Sequence, residues 1–134
     1  MKWKFVLRSA AAMILGYAVI VVLTSLGFNV MLGGRPIYGG SVLTLGAGMM
    51  VAVVSGIVGG YVAGCVGVLR GLFNAALVLL LLTIDTTYVL FFFKRSSAPF
   101  WFDAMASATL MLCTLLGGFL SEQRPGVARS AGGK

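Results

Sequence analysis

The sequence predicts an all-α, polytopic membrane protein built as a bundle of four transmembrane helices. Three observations predict it. The chain of 134 residues is 60% hydrophobic with a mean hydropathy of +1.05, far above a water-soluble domain. Its apolar residues gather into four stretches, each able to supply the roughly 20 residues that cross a bilayer. Its charges are confined. The acids are Asp85, Asp103 and Glu122, and the ten Lys and Arg residues lie at the ends or between the apolar runs.

Residues 1–8 read as a short basic segment, with Lys2, Lys4 and Arg8 interleaved with Trp3 and Phe5. The first span covers about 9–28. It has the look of a signal-peptide core, but it is long for one and no A-x-A-like site follows, so the expectation is a retained span. "NVMLGGRPIYGG", Asn29 to Gly40, is the longest connection, and its glycines and Pro36 suit tight turns. The second span covers about 42–69 and ends before Arg70. The third covers about 72–93 and runs into Lys94 and Arg95. The fourth covers about 99–120, which closes a transmembrane domain of residues 9–120. Residues 121–134 are small, polar and basic, a composition expected to be disordered and to touch anionic lipid.

Orientation follows from the cations in the short loops. Lys2, Lys4, Arg8, Arg70, Arg124, Arg129 and Lys134 fall on one side, seven of the ten. Arg35, Lys94 and Arg95 fall on the other. Both termini are therefore expected in the cytoplasm. Phe91, Phe92, Phe93, Phe100, Trp101 and Phe102 would form an outer aromatic belt, with Trp3 and Phe5 in an inner one. The basic residues show no single face with stacking groups beside them, so nucleic-acid binding is not expected.

The second span carries small residues at a spacing of four. Gly48, Ala52, Gly56, Gly60 and Gly64 form one row, and Ser55, Gly59, Ala63 and Gly67 form a second beside it. Residues four apart share a helix face. In lipid, helices associate by close packing, and such a groove lets another backbone approach. Two uses remain open: packing at the centre of this bundle, and docking of a second copy or a larger membrane partner. The pair Gly59-Gly60 before Tyr61 is echoed by Gly117-Gly118 before Phe119, which hints at a duplicated helical hairpin.

The third span holds Asp85, about 13 Å from Lys94 and about 22 Å from Arg70 along a helix, too deep to snorkel. Asn74, Val78, Leu81, Asp85 and Tyr88 lie along one strip of that helix. An ionisable group at this depth should face protein or water. The candidate polar site is Asp85, Asn74, Tyr88 and, if the first connection folds inward, Arg35, with the hydroxyls of Tyr17, Thr24 and Ser107 as further partners for Asp85. A structural hydrogen bond, proton or cation passage, and partner docking are the readings it leaves open. The hydroxyls of Thr83, Thr86 and Thr87 can return to backbone carbonyls one turn earlier.

The chain contains no histidine, so no Ser-His or Cys-His pair and no histidine-ligated metal or haem can form. An aspartyl mechanism needs two carboxylates at one site; Asp85 is deep in a span whereas Asp103 stands near the start of the fourth, so the second would have to come from a dimer. Cys65 and Cys113 sit singly in apolar runs and read as packing residues. No catalytic residue, metal site or cofactor is expected. The first span lacks the acid of the small multidrug transporters, and the glycine and Arg-Tyr pattern of the fluoride channels is missing.

The segments "WKFVLRS", "SGIVGGYVAG", "DTTYVLF", "FWFDAMAS" and "LLGGFL" together resemble a loose group of small bacterial four-helix membrane proteins of unknown function. The resemblance implies a bacterial inner membrane and a compact bundle, and no particular activity. The expected function is that of a non-enzymatic accessory or structural subunit, or a scaffold, in contact with the lipid bilayer and either homo-oligomeric or part of a larger complex. The alternative is a homo-oligomeric small transporter or channel that uses Asp85.

Overall fold

Four α-helices account for nearly all of residues 2–33, 39–67, 70–92 and 99–124, which the computed structural model describes. They are α1 (Lys2–Leu32), α2 (Val42–Val66), α3 (Gly71–Phe92) and α4 (Phe100–Glu122). At 1.5 Å per residue they run about 46, 38, 33 and 35 Å, against a hydrocarbon core of about 30 Å. All four are long and apolar enough to cross a membrane.

Local chemistry sets the helix ends. α1 begins at Lys2 rather than Ser9 and continues to Leu32 rather than Phe28. It stops at Gly33, whose φ of +56° is the left-handed conformation that closes many helices. Ser41 caps α2, and its hydroxyl accepts from the Thr44 amide at 3.4 Å. α2 ends earlier than expected, at Val66, and Gly67 is its C-cap, with φ −69° and ψ 156°. Gly67 therefore leaves the second small-residue row; a side chain there would run into Asn74. α4 follows Pro99 and carries Asp103 in its first turn, where the helix dipole favours an anion.

Helix directions alternate. Gly16 of α1 lies beside Ala63 of α2 and Gly27 beside Val51, so α1 and α2 are antiparallel. Gly56 lies beside Leu110 and Cys113, and Gly64 beside Ser121, so α2 and α4 are parallel. Gly71 meets Gly118 while Thr83 meets Met111, so α3 and α4 are antiparallel. α2 touches all three other helices, and among the described residues α1 and α4 do not touch. The second helix is thus central, as its composition suggests. It packs against α3, and more extensively against α4 and α1.

The two small-residue rows explain this arrangement. Gly56, Gly60 and Gly64 face α4, whereas Gly59 and Ala63 face α1 at Ile20 and Gly16. Small side chains on two adjacent faces let α2 approach two helices closely, which is the packing that holds helices together in lipid. α4 answers in kind, with Gly117 set against the α2 backbone at Ile57 and Tyr61 and Gly118 against Ala75 and Gly71 of α3. A hairpin repeated by rotation would use the first glycine of each pair alike. Instead Gly59 faces the preceding helix and Gly117 faces the parallel one, so the likeness of the two diglycines does not extend to their surroundings.

Ile20, Ala63, Val78 and Leu82 form the buried apolar cluster, with Met13, Tyr17 and Leu110 packed against it. Three buried hydroxyls are satisfied within their own helices, whereas those of Ser9 and Thr24 have no hydrogen-bond partner. Ser55 donates to the Val51 carbonyl at 2.6 Å, Thr114 to Leu110 at 2.8 Å and Ser121 to Gly118 at 2.6 Å. Gly46 is different, since a Cβ added there would meet nothing within 4 Å. Gly46→Ala should therefore fold unchanged and gain up to about 1 kcal/mol of helix propensity. Thermal unfolding in detergent followed by helical circular dichroism checks this, and a loss of stability would show that the α2 surface is covered there.

Candidate functional site

The strip expected along α3 does not form one site. It starts in the core and emerges at the surface. Asn74 and Val78 are fully buried, Leu81 is half-buried, and Asp85 and Tyr88 are exposed. Asn74 and Asp85 are eleven positions apart on one helix, about 16 Å along its axis, and cannot meet. Asn74 packs at the start of α3 against Gly67. Tyr88 stacks on Phe92, with ring centroids 5.4 Å apart and 21° between the planes. Arg35 lies outside the described residues.

Of the three hydroxyls considered for Asp85, that of Tyr17 on α1 is the one brought close to its carboxyl group. Ser107 turns back to the Asp103 carbonyl at 2.8 Å. Thr24 stands two turns beyond Tyr17 on the same face of α1, and its buried Oγ1 has no hydrogen-bond partner. Thr83 and Thr87 donate to the carbonyls of Leu79 and Thr83, at 2.8 and 2.7 Å, and so offer the surface little more than their methyl groups.

An apolar cleft of about 200 Å³ opens near the far end of the bundle, between α1 and α4. Gly48 and Ala52 floor it, Phe28 closes one wall, and Trp101, Phe102 and Met105 line the other. The first small-residue row is therefore divided: Gly56, Gly60 and Gly64 are covered by α4, and Gly48 and Ala52 open onto this cleft. The aromatic belt surrounds the same end, where Phe91 of α3 meets Phe100 of α4 edge to face at 6.5 Å and Trp101 meets Phe102 at 6.0 Å. Phe93 lies outside the described residues.

At the opposite end, where α1 begins and α4 finishes, charges cap neighbouring helices. Glu122 of α4 accepts the Leu72 amide of α3 at 3.0 Å. Arg8 of α1 donates to the Val66 carbonyl at 3.3 Å, at the C-terminus of α2. Each charge sits where the dipole of the neighbouring helix favours it. Arg124 turns to the Tyr61 ring, 5.1 Å from its centroid. These roles are absent from local sequence because donor and acceptor belong to different helices. The one available cue is that α3 has no acid in its own first turn.

Cys65 and Cys113 are free thiols, and among the described residues no three His, Cys, Asp or Glu side chains gather. Comparison with protein-family models, curated proteins and solved structures finds no match to this chain.

Proposed function

We propose that the chain is a small non-enzymatic integral membrane protein of a bacterial inner membrane, with both termini cytoplasmic, serving as an accessory or structural subunit or scaffold within a larger assembly. One observation carries the reading: the division of the small-residue face of α2. Its Gly56–Gly64 portion is used inside the bundle, whereas Gly48 and Ala52 floor an open apolar cleft. In lipid, a groove floored by small residues favours the close approach of another helix. The excess of cations at the ends of α1 and α4 supports the cytoplasmic placement of both termini.

Native mass spectrometry after gentle extraction from the source membrane tests this. A heteromeric complex is the expected result. A chain that extracts as a bare monomer under conditions that preserve other complexes would sink the reading.

The exposed Asp85, with half-buried Tyr17 near it, favours a second reading, a homo-oligomeric transporter or channel that moves protons or cations between copies. That reading expects Asp85→Asn to abolish flux in liposomes while the fold survives. Under the structural reading, Asp85→Asn keeps a hydrogen-bonding group near Tyr17 and stays within about 0.5 kcal/mol of the wild type, whereas Asp85→Leu loses about 1 kcal/mol. Unfolding of the two variants in detergent, beside the flux assay, separates these outcomes.

A further inference from the structure

We propose that the α1–α3 face around Asp85 and Tyr17 docks a transmembrane helix of another protein that carries a lysine or arginine at the same depth. The inference rests on the accessory-subunit reading and names the chemistry of the partner.

Depth is the first argument. Asp85 is seven positions before Phe92 and fourteen after Gly71, so it lies about 10 Å from one end of α3 and about 21 Å from the other. Both distances place it inside a hydrocarbon core of about 30 Å. Exposure is the second. Asp85 is on the surface of the bundle, among Leu80, Ile84 and Val89, which are also exposed. An ionisable side chain at that depth is costly facing lipid and belongs against protein or water.

The third argument is charge. Tyr17 is the hydroxyl nearby, and one neutral hydroxyl cannot balance a carboxylate with about four acceptor positions. Among the described residues no cation stands at its level: Lys4, Arg8, Arg70 and Arg124 lie toward the opposite end of the bundle, and Arg8 is held at the Val66 carbonyl. Among the described residues, a second copy laid on this face would bring another Asp85, or hydroxyls, but no cation at that level. Charge complementarity therefore selects a basic helix from a different protein.

The test uses the full chain in zwitterionic lipid vesicles, labelled for energy transfer to a single-span leucine–alanine helix. That helix carries one lysine about seven residues from the end matching Phe92. The lysine helix should associate about tenfold more tightly than the same helix with leucine at that position. The preference should vanish in Asp85→Asn and return when Asp85→Lys meets a helix carrying aspartate. Tyr17→Phe should retain it, since the charge remains.

Equal affinity of the lysine and leucine helices for the wild type overturns the inference. So does a homodimer that depends on Asp85 and shows no lysine preference. The two readings fail separately. A native heteromeric complex that survives Asp85→Asn leaves the accessory reading standing and removes this site from it. Absence of any native complex removes the accessory reading itself.

Discussion

Gly60→Leu is expected to break the α2–α4 interface and to cost about 3 kcal/mol or more. A Cβ at Gly60 would overlap the Thr114 carbonyl oxygen and lie 3.0 Å from the Thr114 Cα. The obstacle is backbone, so no rotamer change relieves it. Thr114 is itself fully buried, and its hydroxyl is held by Leu110. Gly117→Leu should do similar damage from the other side, because a Cβ there meets the Ile57 carbonyl and comes within 2.9 Å of the Tyr61 amide nitrogen. The two losses should not add, since either one separates the same pair of helices. Denaturant titration in detergent, read by helical circular dichroism and by gel filtration, gives the cost. If Gly60→Leu stays within about 0.5 kcal/mol of the wild type, α2 and α4 are not in backbone contact.

The second large effect is expected at Glu122. Glu122→Ala should destabilise the bundle by about 1–2 kcal/mol and expose the first turn of α3. The first N–H groups of any helix lack intrahelical partners, and α3 has no acid of its own in that turn. The Glu122 carboxylate supplies an acceptor to Leu72 from fifty residues away, and it ties the end of α4 to the start of α3 as it does so. Glu122→Gln keeps an acceptor without the charge, and roughly half of the loss should remain. Amide exchange at Leu72 reports the site directly. Faster exchange in the alanine variant, with exchange in the middle of α3 unchanged, is the expected pattern. An unaltered Leu72 amide would remove Glu122 from this role.

What could be read from the chain, and what could not, follows from where each signal resides. Four long apolar stretches are a local property, and α1 to α4 appear where those stretches stand, with ends shifted by particular residues such as Gly33 and Gly67. The spacing of Gly56, Gly60 and Gly64 is equally local, and it marks a face that other helices approach. Which helix approaches is not local. A soluble helix marks its inward side by a polar outer face, but a helix apolar all round carries no such mark. Nothing in the α2 sequence separates Gly60, which meets Thr114, from Gly48, which faces an open cleft.

The same reason governs the polar groups. The depth of Asp85 follows from counting residues along one helix. Its neighbour does not, because Tyr17, Thr24 and Ser107 differ only in how α1 and α4 are rotated against α3, and packing brings Tyr17 close to it. Glu122 and Arg8 cap helices other than their own, so their roles depend on distances that no spacing rule contains. The sequence by itself determined the helices, the small-residue rows and the isolation of one acid among apolar residues. The tertiary structure decided which faces meet, that Asp85 emerges on the α1–α3 surface, and that α1 and α4 stay apart, because close packing between apolar helices is set by the shapes of both partners at once.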